Sequence, residues 1–529
     1  MLKYSKPNET RLDQEKLAIS FQDKCQAFMT TLFTKPPSSE PIDWANIPIQ
    51  AKWDPYWLDL KDKEIREAIF QSSIKKAPGP DEISFLIIQK AYMTIGPRFN
   101  RLYRALIKEG YHPRCWKIAK GVVLRKAENQ KRDYSRPKAY RIISLLNCLG
   151  KISEKILARR LSRLAELPSS DLLYFDQIGS RQRKLSINLV LSLVHDIQAA
   201  KNRNKKTSTI FMDVKGAFDH VSTNQLLKIS IKLGLPTSLI KWIYSFLSNR
   251  KIILAFDSES SQIMPIEVGI PQGSPISPIL FLIYIRDLFD FNIDIGETRT
   301  TLESARFLSY MDDISITISS NSHEMNCRTF EYICNYMIQK GLSNHILFDH
   351  EKTELIHYFP KRTMDLEDSR YKVKLGNNEI IAQEVLKWLG IYIDSKLTFK
   401  DHVAKKITIA TRIFHQIERL SNTERGLSFQ AMRQLYIACC CSIADYGVPI
   451  WWAGQKNLLD RYQKLQNQAL LKILGAFMGS PIRAMEIEAS LPPPETRLNK
   501  ICRAYALRTI DFNEQYAIKN RLLNSFFIN

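Results

Sequence analysis

Residues Arg306–Ser319 read RFLSYMDDISITIS. Ile314, Ile316 and Ile318 alternate with Ser315, Thr317 and Ser319, a period of two that belongs to a strand. The stretch predicts two strands around a tight turn at Met311–Asp313, and the turn carries two adjacent carboxylates, Asp312 and Asp313. Aspartate favours turns for local hydrogen-bonding reasons, so the pair alone reads most simply as structural. A second β-rich run, Ser208–Val214 (STIFMDV), delivers Asp213 near its end, 99 positions upstream of Asp312. Carboxylates brought to one sheet edge repel one another and need a cation, and hard oxygen ligands suit Mg²⁺. Two such ions can activate an attacking hydroxyl and stabilise a leaving oxygen in phosphoryl transfer.

Working outward, helical stretches at Gln225–Leu233 and Leu239–Leu247 lie between these strands, which indicates an α+β domain around one sheet. From about Asp401 the pattern turns helical, with long amphipathic stretches at Phe429–Ala444 and Leu458–Leu474. Upstream, residues 13–33 predict an amphipathic helix followed by a Pro/Ser break at Lys35–Pro41. Leu58–Ile74 predicts another, stopped where Pro78, Gly79 and Pro80 forbid continuation. No internal repeat and no long low-complexity tract interrupts the 529 residues.

Charge narrows the class. Lys and Arg number 76 against 54 Asp and Glu, a net +22, which raises a polyanion as partner and argues against an acidic or disordered chain. From Arg114 to Arg163 there are 15 basic and 3 acidic residues. Within that run Ile152, Ile156, Leu157, Leu161 and Leu164 form an apolar helical stripe, with Lys151, Lys155, Arg159, Arg160 and Arg163 assigned to the polar side. A solvated helix face is the commoner outcome, but so dense a run of one sign is costly without a counter-anion. The nine cysteines are scattered without a C-x-x-C pair, which reads as buried free thiols in a reducing compartment. The longest apolar stretches, Pro275–Ile285 and Leu435–Ala444, fall short of the roughly 18 residues of a spanning helix. A membrane partner is therefore not expected.

Further blocks then match something known. Lys75–Ile83 (KKAPGPDEI) is followed by Tyr140–Leu146 (YRIISLL) with Gly150-Lys151 and Glu154-Lys155, then by Gln177–Arg181 (QIGSR). Next come Asp213–Asp219 (DVKGAFD), Gly269–Pro278 (GIPQGSPISP), Tyr310–Asp313 (YMDD), Lys352–Glu354 (KTE) and Trp388–Gly390 (WLG). In this order they resemble the reverse transcriptase of non-LTR (LINE-like) retrotransposons, closest to the Tad-like clade of filamentous fungi, from about Lys75 to the C-terminus. The resemblance implies a right-hand polymerase. Residues 1–106 would be an N-terminal helical extension, 107–394 fingers and palm, and 395–529 a helical thumb-like and connection region whose basic face tracks phosphates.

Carried over by position, it implies that Asp213 and Asp312 ligate two Mg²⁺ ions (Mn²⁺ as a substitute), with Asp313 in support and the Val214 carbonyl completing the site. Phe218 falls where the family keeps an aromatic gate against the ribose 2′-hydroxyl; without the family it reads as a core aromatic. Gln272 and Gly273 would line the nucleotide pocket, and Arg141, helped by Lys126, would hold the triphosphate. Lys352 reads equally as a general acid for pyrophosphate or as a surface lysine. Asp219 lies off the metal site and reads as structural. Two positions depart from the general pattern. Ile142 replaces a proline, and Ser180 stands for Gly or Phe beside Arg181, at a template-contact position.

The implied partners are an RNA template, a DNA primer and dNTPs. The implied location is intracellular, in nucleus or cytoplasm. The first block begins at Lys75, too early for the endonuclease that full-length elements carry, and no ribonuclease H quartet follows Pro492–Pro494. The reading therefore expects a polymerase core from a larger polyprotein. Two alternatives stand beside it: a catalytically silent nucleic-acid-binding fragment of a decayed element, and a group II intron maturase-like enzyme, for which a mitochondrion would be the location.

Overall fold

The structure, a computed structural model, describes residues 10–11, 17–34, 41–44, 51–126, 133–168, 170–291, 305–360, 371–376, 378–420, 426–510, 512, 518–519 and 521. Residues 13–16 of the predicted first helix and most of the Lys35–Pro41 break lie outside these. The helix itself runs Phe21–Leu32, opened by Ser20, whose Oγ accepts a hydrogen bond from Asp23 N at 3.1 Å.

The central sheet has five strands in the order Glu354–Tyr358, Lys206–Asp213, Asp313–Ser320, Arg306–Tyr310 and Gln177–Ile178. All neighbours are antiparallel except the last pair. The predicted hairpin is present with a tighter turn. Tyr310 pairs directly with Asp313, so Met311 and Asp312 alone form the loop and Asp313 is the first strand residue. Two-residue hairpin loops need left-handed backbone to match strand twist, and Met311 adopts φ 57°.

Both faces of this sheet are covered. Ile314, Ile316 and Ile318 join Ile210 and Met212 in a core shared with Phe330, Ile333 and Met337 of helix His323–Ser343. Helix Ser186–Asn202 packs on the other side. The alternating Ser315 and Thr317 are therefore buried as well. Two hydroxyl pairs bridge the strands, Thr209 with Thr317 at 2.9 Å and Thr207 with Ser319 at 3.0 Å, while the Ser315 hydroxyl has no such partner among the described residues.

A second sheet orders Tyr140–Leu145, Ile118–Arg125, Arg250–Phe256 and Glu259–Ser260, with Met264–Ile266 also on the third strand. The Phe21–Leu32 helix packs on it by setting Phe28 edge-on to Tyr140 and Phe256, at 5.4 and 5.5 Å. Helix Cys148–Ala165 packs on helices Asp62–Phe70, Phe85–Lys108 and Ser277–Ile285, and its predicted stripe Ile152, Ile156, Leu157, Leu161 and Leu164 is buried. Arg160 departs from the polar side assigned to it. Its Nε and Nη2 donate to Glu64 at 2.9 and 2.8 Å, and Nη1 to the Leu58 carbonyl at 2.7 Å. Arg160 stands four residues from both Ile156 and Leu164, so helical geometry carries it inward with them. Burying a guanidinium there is costly unless it is paired, and helix Asp62–Phe70 supplies Glu64.

The C-terminal region is helical: Lys400–Glu418, Phe429–Leu435, Lys456–Leu474 and Pro494–Ile510. The stretch predicted as one helix over Phe429–Ala444 contains a π-helical turn at Tyr436–Cys441. Arg497 closes the bundle by donating to Asp445 at 2.8 Å and to Gln466 at 2.6 Å. These helices share one apolar core with the hairpin Val385–Trp388/Ile391–Asp394 and with Phe211 and Leu308 of the central sheet. All nine cysteines are free thiols. Among the described residues no helix is long and apolar enough to cross a membrane.

Candidate active site

Strand register gathers the three aspartates. Asp213 ends its strand directly opposite Asp313, and Asp312 sits in the turn beside them. The backbone locks the group, with Val214 N donating to the Asp312 carbonyl at 3.2 Å and Asp349 N to that of Asp213 at 2.9 Å. From the edge strand, Met311 N donates to the Ile178 carbonyl at 3.2 Å. Gly179, at φ 112°, lies so close that a Cβ would come within 2.8 Å of Met311 Sδ and 3.1 Å of its nitrogen. Ser180 is left-handed too, and the neighbouring Arg181 turns inward, its Nε 2.7 Å from Glu166. The QIGSR block thus braces the hairpin, and the Arg181 guanidinium is committed to the fold.

Burial pushes the Asp313 carboxyl up to about 7, reinforced by the charges of Asp312 and Asp213 against Lys352. Asp312 is raised as well, by burial first and with Asp213 adding to it, while Lys352 and Arg141 oppose. The Lys352 ammonium lies on the Asp213 carboxylate, with Asp349 at 3.1 Å. Burial alone would lower the lysine, but these hydrogen bonds outweigh it and hold it above its ordinary value. In this arrangement Lys352 lies against the cluster as a counter-cation.

Among the described residues no three His, Cys, Asp or Glu side chains stand in ligand geometry around one point, and Asp213 is turned to Lys352. The donor chemistry nevertheless fits a divalent cation. Three hard carboxylates share one edge, and two of them are driven toward protonation by burial and mutual repulsion.

The Gly269–Pro278 loop closes the other side. Buried Arg250 holds its root, donating to the carbonyls of Val268 and Gly269 at 2.6 and 2.5 Å. Ile270 N donates to the Phe218 carbonyl at 2.8 Å, and Gln272 Nε2 to the two Asp219 oxygens at 3.0 and 3.1 Å. Asp219 therefore positions Gln272. Burial pushes its carboxyl up to about 6 against that hydrogen bond and the charges of Lys126, Arg141 and Arg250. Gly273 sits at φ 120° against the strand Tyr140–Leu145, where Ser144 N donates to the Gln272 carbonyl at 2.7 Å. Arg141, on that strand, is exposed, and its charge reaches both Asp219 and Asp312. Lys126 donates to the Lys138 carbonyl at 2.7 Å. Phe218 is half-buried and stacks on Phe281 at 5.4 Å, so it makes the core contact that the plainer reading expects and also borders the loop.

Glu154 was not singled out as a site residue. It is 1% exposed, accepts a hydrogen bond from Ser274 Oγ, and burial pushes its carboxyl up to about 7. Its position, three residues before Leu157 and seven before Leu161, was the available signal, since it lies on the apolar stripe. A pH dependence follows. Between an unfolded value of 4.5 and the folded value near 7 the folded chain binds the proton more tightly, so stability falls as pH rises through that window. Glu154→Gln keeps an acceptor for Ser274 and removes the titration. Chemical denaturation of both chains from pH 5 to 8 should show the parent losing up to about 3 kcal/mol relative to the variant. Parallel curves would exclude a titrating carboxyl there.

A palm sheet edged with carboxylates, a fingers sheet and a helical thumb define a right-hand nucleic-acid polymerase. The chain matches the reverse transcriptase (RNA-dependent DNA polymerase) family over residues 126–393 and belongs to it. It is 26% identical over 424 residues to the probable RNA-directed DNA polymerase from transposon BS of Drosophila melanogaster, covering 78% of this chain and 44% of that one. It is 25% identical over 446 residues to the RNA-directed DNA polymerase from mobile element jockey of the same organism, covering 84% and 47%. A type-1 retrotransposable element R2 polyprotein of Popillia japonica is 26% identical over 50% of this chain and 36% of its own length. The chain thus spans less than half the length of these relatives. They bear out the resemblance to non-LTR reverse transcriptases. Among solved structures, apo telomerase from Candida tropicalis truncated from its C-terminal domain aligns with TM-score 0.35 and 13% identity, over 53% of this chain and 54% of that one.

Proposed function

We propose that this chain is the RNA-directed DNA polymerase of a non-LTR retrotransposon of the Tad-like clade, extending a primer 3′-hydroxyl on an RNA template with dNTPs. The observation that carries this is the register that sets Asp213 opposite Asp313 with Asp312 at the turn. Asp213 and Asp312, with the Val214 carbonyl, would hold magnesium. When bound, the metal supplies Lewis-acid charge neutralisation at the attacking and leaving oxygens. Asp313 lends further negative charge to the cluster. Lys352, now on Asp213, would be freed to meet the negative charge of the leaving pyrophosphate. Arg141 and Lys126 orient the triphosphate, and Gln272, held by Asp219, shapes the pocket with Gly273.

The reading is tested by primer extension on an RNA template with dNTPs and Mg²⁺. Template–primer binding without extension under any divalent ion would favour the silent-fragment alternative. Phe218, beside the loop, is the gate in this reading. Phe218→Ala should raise ribonucleotide incorporation relative to deoxynucleotide by about 10-fold or more, since removing a clash restores a contact difference of 1–3 kcal/mol. Unchanged sugar selectivity would leave Phe218 as the packing partner of Phe281 alone.

A further inference from the structure

The edge strand that braces the carboxylate hairpin is itself held by a residue 345 positions away. Gln177–Ile178 is two residues long and pairs with one strand only, so its place is set by what flanks it. Ser309 N donates to the Asp176 carbonyl and Met311 N to that of Ile178, both at 3.2 Å. The strand and the turn that precede Asp312 and Asp313 therefore hang on the backbone of residues 176–178. On one side Gln177 Nε2 ties this backbone inward, donating to the Leu282 carbonyl at 2.7 Å.

On the other side stands Asp176, buried and ionisable, and a carboxylate so placed is costly unless a cation pairs with it. Arg521 supplies the cation. Its Nη1 and Nη2 donate to the two Asp176 oxygens at 3.3 and 3.1 Å, and its Nε donates to Asp196 at 2.9 Å. Asp196 lies on helix Ser186–Asn202, which packs on the same sheet, so one guanidinium fork joins the edge strand to the helix. Burial raises the Asp176 carboxyl, with Arg521 opposing, Asp196 adding and Lys184 opposing. Lys184 leans on Glu166, at 3.3 Å.

The approach of Arg521 is built into the fold. From helix Pro494–Ile510, Tyr505 donates its hydroxyl proton to Asn188 Oδ1 at 2.8 Å. Phe512 and Ile518 then enter the apolar core that the thumb helices share with the sheet.

We propose that Arg521 is a positioning residue for the carboxylate hairpin, fixing through Asp176 the edge strand against which Met311, and with it Asp312, is aligned. Its bearing on catalysis rests on the polymerase reading above. Removing one member of a buried pair strands the other charge, whereas removing both is far milder. That asymmetry separates a positioning role from a mere tie for the C-terminal segment.

The test compares the parent, Arg521→Met, and Arg521→Met combined with Asp176→Asn. Amide hydrogen exchange is followed over Arg306–Asp313, and single-nucleotide addition on an RNA–DNA template–primer. In Arg521→Met, exchange at the hairpin should quicken at least about tenfold, with the strand Ile118–Arg125 of the other sheet unchanged. Addition should slow by about 10- to 100-fold, the effect of a displacement near 1 Å at a positioning element. Template–primer affinity should stay within about twofold, because the Arg521 guanidinium is already held by two carboxylates. Adding Asp176→Asn should bring exchange and rate back to within about threefold of the parent. Arg521→Lys keeps the charge without the fork and should fall between parent and Arg521→Met. Unchanged exchange at the hairpin, acceleration spread equally over both sheets, or no recovery in the double variant overturns the positioning role. A parent that adds no nucleotide overturns the polymerase reading, and the exchange comparison still decides whether Arg521 holds the hairpin.

Discussion

Asp312→Asn should leave primer extension at least about 10³-fold slower than the parent while template–primer affinity changes by less than about twofold. The asymmetry comes from what the carboxylate does. It sits in a two-residue turn among other carboxylates, where a phosphate backbone would be repelled, so its loss should cost little binding. In the proposed function its loss would remove a charged metal ligand, whose contribution is largest when charge develops at the reacting oxygens. The amide is isosteric, and the turn is pinned through backbone atoms of Met311, Val214 and Ile178, so the fold should survive. Single-turnover extension and anisotropy on one template–primer read the two effects separately. A fall in affinity as large as the fall in rate would move Asp312 from chemistry to substrate contact.

Gly273→Ala should lower kcat/KM for the incoming dNTP by about 10²-fold, because a displacement near 1 Å at a positioning element costs that much. Two effects act together. The residue sits at φ 120°, where an L side chain is strained, and its Cβ would approach the Ser144 carbonyl to 2.7 Å. That carbonyl belongs to a sheet strand and cannot step aside, so the loop must lift, drawing Gln272 from Asp219. Gly479→Ala separates the effects, since Gly479 has φ 95° and open space around it. That control should lose only a strain energy of about 1–3 kcal/mol in stability and keep its kinetics. Equal kinetics for Gly273→Ala and the parent would mean that the loop does not shape the pocket.

The carboxylate edge was legible because its signals are local. Alternating isoleucines fix which residues share a face, and two acids at a turn between β-rich arms can only sit at a strand end. The apolar stripe of the fingers helix was legible for the same reason. What escaped depends on partners remote in sequence. Arg160 looked like a surface cation until Glu64, 96 residues away, was seen beside it. Nothing in the QIGSR block signals that Glu166 and four backbone carbonyls take up the donors of Arg181. Glu154 and Arg160 both lie at stripe spacing, and charge alone argued against putting them inside. The π-turn at Tyr436–Cys441 was not legible, because it lies inside an apolar run whose residues read as core whichever way the face turns.

The core common to thumb helices and central sheet has a mechanical consequence. Trp388, Ile391, Val403 and Phe414 are packed in one continuous apolar body with Phe211 and Leu308 of the sheet that carries Asp213 and Asp313. Swinging the base of the thumb away would wet these side chains at 1.5–3 kcal/mol apiece, about 10 kcal/mol for four of them, which thermal motion does not supply. The base of the thumb and the carboxylate edge therefore move as one anvil, across which, in the proposed function, the hybrid would slide in each cycle of synthesis.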